Sequence, residues 1–566
     1  MENNFTVNIN DSVSELLTVM SNLTKSRRPS GFAVVVGDNK RVVGVVSDGD
    51  IRKFLIVNSR MPDQIDEVVN TNFVSIQNQP GAENLLNEAK RIIGKLRTEA
   101  RLPIKFLPVL DGHEINTVLD LEEMSVFGDN GEDQIVIIGL GYVGLTLAGF
   151  FLGLGHEVIG VDSDEKKVNT LKKGKSYITE PGLEHIIGQS AGKKLKLKCE
   201  ISEFTELSSA GARNVFIVSV PTPVASTGKG DLRFVEQSVS DIAGVLRAGD
   251  LVILRSTLPI GTSERIAQVL EQKSNLRAGI DFSVIFAPER TVEGNALREI
   301  RDLPQIVSGL TSNCLEKGLS FFEKFGILTV PTNSLSMAEL IKISSNAYRD
   351  YMFAFANYLA LVAREHSLDV NAAIKAANFG YPRNNIPTPS PGVGGPCLTK
   401  DPYLLWAPNL EIESPVKVAR ELNVQMPSHL LEFLRQNISD FASKIVCVVG
   451  IAFKGVPETN DIRNSPGVEL LNLLQRDGIS TTAWDSIADF QLLNIKEDTS
   501  SPEVFILANN HPKNREYFAE AIKVSVHKSI YLVDPWRLVN EHELAELRGH
   551  KSVHYFSLSH FEKDFL

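Results

Sequence analysis

One cysteine in this chain sits in a loop that looks built to present it. In Gly392-Val393-Gly394-Gly395-Pro396-Cys397-Leu398-Thr399-Lys400-Asp401 a thiol follows a glycine pair, with a cation three residues on and a carboxylate four residues on. A thiolate adds to carbonyls, and nearby positive charge favours the thiolate. A lone cysteine is more often a small buried apolar residue. The glycine pair points the other way, because only a backbone-crowded position needs it. About 250 residues earlier, Gly139-Leu140-Gly141-Tyr142-Val143-Gly144 follows the apolar run Ile135-Val136-Ile137-Ile138. That order predicts a strand, a tight glycine turn and a helix N-terminus whose amides and dipole face a pyrophosphate. A helix is expected from about Val143 to Leu154, then a strand from Glu157 to Val161 that ends at Asp162, 23 residues after Gly139. Asp162 is placed to accept hydrogen bonds from an adenine ribose and to repel a 2′-phosphate, so NAD is expected over NADP. A nicotinamide site with a poised thiol points to an oxidation through a covalent carbonyl adduct.

The elements that must position these groups fall into four parts. Of 566 residues, 43% are hydrophobic and 22% charged, as in an ordinary multi-domain globular protein. The net charge of −11 argues against nucleic acid or an anionic membrane as partner. No basic segment precedes an apolar stretch at the start and no run of about 18 apolar residues occurs, so a cytoplasmic protein without a span is expected. The cysteines Cys199, Cys314, Cys397 and Cys447 lack CxxC or Cys/His spacing, so free thiols and no metal site are expected.

Residues 1–128 carry an internal repeat. Gly31 to Val36 and Arg41 to Val46 read as two strands before Ser47-Asp48-Gly49-Asp50-Ile51-Arg52, and Phe106 to Asp111 and Ile115 to Leu121 form a weaker copy. Each contains Ser/Thr-x-x-Asp, Ser47/Asp50 and Thr117/Asp120, expected at a strand-to-helix turn. The hydroxyl there caps the helix and the acid can hold a ribose diol, or the pair is simply a cap. Ser125 to Asp133 reads as a linker. Residues 129–330 alternate strand and helix, which predicts a doubly wound parallel sheet. Its strands end in Pro221-Thr222-Pro223, in Arg255-Ser256-Thr257, and in Ala287-Pro288-Glu289-Arg290-Thr291-Val292-Glu293-Gly294, one wall of a site. Residues 331–440 open on a long helix, about Ser336 to His366, with Lys342 and Asn346 on one face. Residues 441–566 restart the α/β pattern without GxGxxG, so a different, bulkier nucleotide is expected there.

The repeat resembles a tandem CBS pair, a module that often binds adenine nucleotides and regulates an attached enzyme. From about 134 onward the chain resembles the UDP-glucose/GDP-mannose dehydrogenase family of nucleotide-sugar 6-dehydrogenases. The matching motifs keep the family's order: GLGYVG, Asp162 with Lys167, PTP at 221, STLPIGT at 256, APERTVEG at 287, Glu339-x-x-Lys342-x-x-x-Asn346, GVGGPCLTKD at 392, and AFKG with DIRNSP from 452. The resemblance implies two Rossmann-like α/β domains joined by a long central helix, the first for NAD, the second for a UDP-sugar, in a homodimer or higher homo-oligomer.

It also implies roles. Gly139, Gly141, Tyr142, Val143, Gly144, Asp162, Lys167, Pro221, Thr222, Ser256, Thr257, Glu293 and Arg463 would bind the cofactor. Glu289, Arg290, Thr291, Lys342, Asn346, Arg383, Asn385, Gly394, Phe453 and Lys454 would bind substrate. Cys397 would be the nucleophile, with positive neighbours lowering its pKa. Lys342 would stabilise an oxyanion, Asn346 hold a water, Asp401 assist proton transfer, Glu289 serve hydrolysis and Thr257 position water. Pro396 departs from the family pattern, and Lys454 to Arg463 is two residues longer than usual. Arg290 after Glu289 and Pro382-Arg383-Asn384-Asn385-Ile386 resemble the N-acetylmannosamine branch, whereas Lys400-Asp401 is more typical of the UDP-glucose and GDP-mannose branches. An arginine near the sugar suits an acetamido carbonyl. UDP-N-acetyl-D-mannosamine is therefore the expected substrate, with UDP-glucose or UDP-N-acetylglucosamine as alternatives. A two-electron dehydrogenase shares the cofactor fold and central helix but would need neither Cys397 nor the second nucleotide domain, and the intact Lys342/Asn346/Cys397/Asp401 set argues against a non-catalytic nucleotide sensor.

Overall fold

The computed structural model describes residues 5–21, 31–37, 39–58, 60–78, 106–120, 133–203, 212–224, 230–405, 413–488, 501–527, 529–548, 552–559 and 561–562. The chain divides into two compact units, residues 1–130 with 319–330, and residues 131–318 with 331–566. Residues 319–330, expected within 129–330, thus group with the N-terminal unit, and the parts expected after residue 128 otherwise form one unit.

In the N-terminal unit Thr6–Asn8 pairs parallel with Phe32–Val36, which pairs antiparallel with Val42–Ser47. Ile76–Gln77, Phe106–Asp111 and Glu114–Asp120 repeat the arrangement. The irregularity repeats too, with register shifts at Val35/Val36 and at Val109/Leu110. The expected repeat is present, but its register is corrected. Phe32 pairs with Ser47 and Phe106 with Asp120, so Asp120, not Thr117, stands where Ser47 stands. Thr117 lies inside its strand opposite Val109, not at a strand-to-helix turn. Hairpin register is set by the turn and the bulge, which a four-residue pattern does not reveal. The counterpart of Asp50 falls past Asp120, outside the described residues, as does most of the expected linker from Ser125. The equivalent rings of Phe32 and Phe106 meet with centroids 5.0 Å apart, inside a cluster with Phe5, Val34 and Val45. At the first copy, Asp50 accepts from the Ser47 N–H at 2.8 Å and its hydroxyl at 2.6 Å, while the Asp50 N–H donates back at 3.4 Å. This reciprocal cap starts helix Asp48–Asn58.

In the larger unit Leu195–Lys198, Val158–Val161, Gln134–Ile138, Asn214–Val218, Leu251–Leu254 and Ser283–Phe286 lie side by side and parallel, and Gln305–Gly309 joins antiparallel. These strands are apolar almost throughout because helices cover both faces, as parallel sheets require. The strand order reverses at Gln134–Ile138, which opens a crevice at its carboxyl end. A second sheet holds Thr481–Trp484, Val446–Val449, Val504–Leu507, Ser529–Val533 and Ser552–Phe556, all parallel, with Phe561–Glu562 antiparallel at the edge.

Between the sheets in sequence runs helix Leu335–Glu365, started by the Ser334 hydroxyl, which accepts from the Met337 N–H. Ile343, Ala347 and Ala354 are buried, whereas Leu340 and Tyr351 are exposed, so the helix has two apolar faces. Helix Pro415–Asn437 lies against it, capped by Ser414. The two are joined by a buried ion pair, Arg420 to Asp350 at 2.7 Å, and by Asn357 to Asn423 at 2.8 Å. Breaking such a buried pair from one side costs about 3–5 kcal/mol. Among the described residues no helix is long and apolar enough to cross a membrane.

Candidate active site

The glycine cradle forms as its spacing requires. Gly139 is left-handed at φ +87°. A Cβ on Gly144 would lie 1.9 Å from the Gly139 carbonyl oxygen, whereas one on Gly141 would meet nothing within 4 Å. Helix Tyr142–Gly153 starts at Gly141 without a side-chain cap, so its first N–H groups remain for an anion. Asp162, at the end of strand Val158–Val161, accepts from the Leu140 N–H at 2.8 Å and the Asp164 N–H at 2.9 Å. Lys167 lies 3.6 Å from it. Asp162 therefore braces the glycine turn as well as facing the cleft. These residues fit a dinucleotide.

A cleft of about 1330 Å³ runs from this cradle to the cysteine loop. Gly139, Gly141, Tyr142, Val143, Asp162 and Lys167 line one end. Pro221, Thr222, Ser256, Thr257, Glu289, Thr291, Glu293, Lys342, Cys397 and Arg463 line the rest. The volume exceeds the ~300–1,000 Å³ of a single small-ligand pocket, as room for two nucleotide-bearing molecules would require. The strand-end loops are tied together by Ser256 Oγ to Val220 O at 2.6 Å and Thr222 Oγ1 to Thr257 O at 2.8 Å.

The cysteine loop is held from three sides. A Cβ on Gly394 would lie 2.4 Å from the Asn464 carbonyl oxygen. Gly395 is left-handed at φ +89°, and its Cβ would strike the Phe453 ring at 2.7 Å. Arg420 donates to Val393 O at 2.9 Å and Leu398 O at 3.3 Å. The glycine pair thus lets the second α/β domain clamp the thiol loop. Cys397 is open to the cleft yet enclosed by protein around it. Burial pushes its thiol pKa up; Lys342 and Lys400 pull against this, and Asp401 and Glu293 add to it. The expectation of a lowered pKa is corrected for the free protein, because burial and two carboxylates outweigh the lysines.

Asn346 and Asp401 lie behind the cleft wall. Asp401 is fully buried, with Oδ2 accepting from Asn346 at 2.6 Å and Oδ1 paired with Lys400 at 2.8 Å. Glu289 is bound on both oxygens, by the Thr291 N–H at 2.6 Å and by Arg255 at 2.5 Å. Burial alone would raise its pKa, but the charge of Arg255, the Thr291 hydrogen bonds and the charge of Lys342 hold it down to about 2.

Seven expected substrate contacts do not line the cleft, Asn346 behind its wall among them. Arg290 donates to the Pro304 carbonyl instead. Arg383 is exposed and lies over Tyr381, 4.5 Å from its centroid, and Asn385 is exposed too. Phe453 packs on Gly395, and Lys454 donates to the Glu293 carbonyl at 2.7 Å, so both support the wall. Gly394 likewise serves the loop, while Gly392 and Val393 face the cleft. Arg463 forks onto Asp461 at 2.9 Å and 2.8 Å. Sequence reading gave no role to Arg255, Glu180 or the Asp350–Arg420 pair. Arg255 had a signal, an arginine directly after the apolar strand Leu251–Leu254. Glu180 had none; it accepts from the Gly294 N–H at 2.9 Å and the Leu297 N–H at 3.2 Å, and pairs with the Tyr142 hydroxyl.

Comparison with known proteins agrees with this geometry. The NAD binding domain of the UDP-glucose/GDP-mannose dehydrogenase family matches residues 133–325, its central domain matches 336–424, and a CBS domain matches 1–57. The UDP-N-acetyl-D-mannosamine dehydrogenase of Pyrococcus horikoshii is 31% identical over 414 residues, 72% of this chain and 96% of that protein. The solved structure of that enzyme from the same organism aligns with TM-score 0.66 and 29% identity, over 75% of this chain and 99% of the other. A UDP-glucose dehydrogenase from Pyrobaculum islandicum aligns with TM-score 0.65 and 25% identity, over 76% and 99%. The chain belongs to the UDP-glucose/GDP-mannose dehydrogenase family and is an NAD-dependent nucleotide-sugar 6-dehydrogenase.

Proposed function

We propose that this enzyme oxidises the 6-hydroxyl of UDP-N-acetyl-D-mannosamine to a carboxylate through a covalent adduct on Cys397. The convergence of Cys397, Lys342, Glu289 and the glycine cradle on one cleft carries the covalent reading. When bound, NAD accepts a hydride in each of two oxidations. Lys342, buried and facing the cleft, stabilises the alkoxide and the later oxyanion. The Cys397 sulfur adds to the aldehyde carbon to give a thiohemiacetal. Loss of a second hydride leaves a thioester, and water cleaves it. Glu289, ionised and fixed, orients that water rather than storing its proton, because a carboxyl with so low a pKa is a weak base. Asn346 and Lys400 hold Asp401 as a buried acceptor behind Lys342 and the thiol.

The choice of sugar rests on the named relatives and the loop motifs, since Arg290 is engaged elsewhere. A panel of UDP- and GDP-sugars, read as NADH formed per sugar, tests it. Two NADH are expected, with highest efficiency on UDP-N-acetylmannosamine; highest efficiency on UDP-glucose would overturn the substrate. Helix Leu335–Glu365 exposes Tyr348, Tyr351, Phe355, Tyr358 and Val362, spaced three and four apart as in a helical seam. A second copy of the chain covers this face, and a monomer by sedimentation would refute that. An adenine nucleotide is the proposed ligand of the N-terminal unit, at Asp50, whose cap uses only Oδ2. Calorimetry of the full chain with AMP, ADP and ATP, compared with Asp50→Ala, tests this.

A further inference from the structure

Thioester cleavage needs a water aimed at the carbonyl carbon, and the groups around Glu289 are arranged more rigidly than one carboxylate requires. Arg255 is only 3% exposed. One terminal nitrogen meets Glu289 Oε2 at 2.5 Å; the other donates to Ala287 O at 3.1 Å and Gln305 Oε1 at 2.9 Å. Gln305 in turn donates to Pro288 O and Ile306 O, each at 2.9 Å. The guanidinium therefore grips the Glu289 side chain and the backbone that leads into it. Arg255 stands on the strand Leu251–Leu254, Glu289 follows the strand Ser283–Phe286, and Gln305 opens the antiparallel strand. Three adjacent strand ends thus converge on one carboxylate. The charged groups facing Glu289 are Arg255, Lys342 and Arg290.

We propose that Arg255 is a positioning residue for the hydrolytic half of the reaction, holding Glu289 ionised and aimed so that it orients the attacking water. The proposal deepens the covalent reading above and rests on it. In the step, the water oxygen bonds to the thioester carbon and the carbon–Sγ bond breaks. The electron pair leaves with sulfur, which takes up one proton, and the carboxylic acid releases another to solvent. Glu289 ends the step as it began. Arg255 reaches the chemistry only through Glu289. Without its charge, less opposes burial, and Glu289 takes up a proton at a higher pH than in the wild type.

The test follows NADH release and the covalent adduct by intact-protein mass, from mildly acidic to mildly alkaline pH, in the full-length enzyme. Arg255→Gln is expected to complete both oxidations on its bound sugar, then stall with the thioester on Cys397. Its turnover is expected to fall about 10²-fold, the scale of a misplaced reacting group, and most at the acidic end. Arg255→Lys keeps the charge without the fork and is expected to recover part of the rate; it also serves if Arg255→Gln fails to fold. A merely structural role would lower melting temperature and leave the shape of the pH profile unchanged. An Arg255→Gln profile parallel to wild type, with Glu289→Gln slow, overturns the proposal alone. Wild-type hydrolysis in Glu289→Gln overturns the role of Glu289 and the proposal together. No trapped adduct in any form overturns the covalent reading itself.

Discussion

Gly139 and Gly450 end the first strand of their sheets with nearly the same backbone, φ +87° and +93°. Each N–H donates at 2.8 Å to the end of the next strand over, to Val161 O and Trp484 O respectively. Each such neighbouring strand ends in an aspartate that accepts from the residue after the glycine, Asp162 from Leu140 and Asp485 from Ile451. Beyond that point the two corners diverge. The first enters its helix at Tyr142, with no side-chain cap. The second runs through residues 451–465 before helix Pro466–Arg476, which carries a Ser465 cap and a proline in its first turn. Asp485 is saturated by N–H groups from Ile451, Ala452, Ile487 and Ala488. A strand-glycine-aspartate corner is therefore a folding device first. It binds a dinucleotide only where the helix N-terminus is left open and the acid keeps spare acceptor capacity. The second corner spends its inserted segment on Phe453, Arg463 and Asn464, which hold the thiol loop of Cys397.

Substitutions can break or sharpen this contrast. The largest effect is expected at the group both corners serve. Cys397→Ser should lower steady-state carboxylate formation by about 10⁴-fold or more, as when other covalent nucleophiles are removed; near-normal turnover would end the covalent mechanism. Because burial raises the thiol pKa, alkylation of the free enzyme should be slow at neutral pH and rise with pH through the ordinary thiol range and beyond. Lys342→Met should push that rise to still higher pH.

Next come the glycines. Gly144→Ala places a methyl 1.9 Å from the Gly139 carbonyl oxygen and should abolish NAD binding by calorimetry. Gly450→Ala, whose Cβ would lie 2.6 Å from Asn509 Oδ1, should lower melting temperature and leave NAD affinity of the folded fraction unchanged. If both act on NAD alike, the division of labour is wrong.

A smaller effect separates the aspartates. Asp162→Asn should cost about 1.5–3 kcal/mol of NAD affinity through weakened charged hydrogen bonds and narrow the preference over NADP. Asp485→Asn should reduce stability with the cofactor ratio unmoved. The smallest effect is expected for Ser465→Ala, about 1 kcal/mol of stability through loss of the cap, read as a shift in melting temperature at constant cofactor affinity.

Motif positions were legible because local chemistry specifies them. Strand, glycine turn and helix follow from Ile135 to Gly144 alone, and the helix across Lys342 and Asn346 follows from its spacing. Long-range partners were not. Nothing near Glu289 in sequence names Arg255 as its counter-charge, 34 residues away. The expected contacts of Arg290 and Arg383 failed because a side chain's direction depends on what packs beside it, Pro304 O in one case and Tyr381 in the other. In the N-terminal unit the strand pattern revealed the repeat, but Thr117-x-x-Asp120 misplaced its register because Thr117 pairs with Val109 inside its strand, which a four-residue pattern does not reveal.

By itself, then, the sequence determined the class of chemistry: a thiol after a glycine pair and a dinucleotide cradle ending at Asp162 need particular residue types at particular spacings. The tertiary structure decided the electrostatics, since the ionised state of Glu289, the raised thiol of Cys397 and the burial of Asp401 depend on groups from other strands and helices. Charge interactions depend on distance and on exclusion of water, and only the packed fold sets either one.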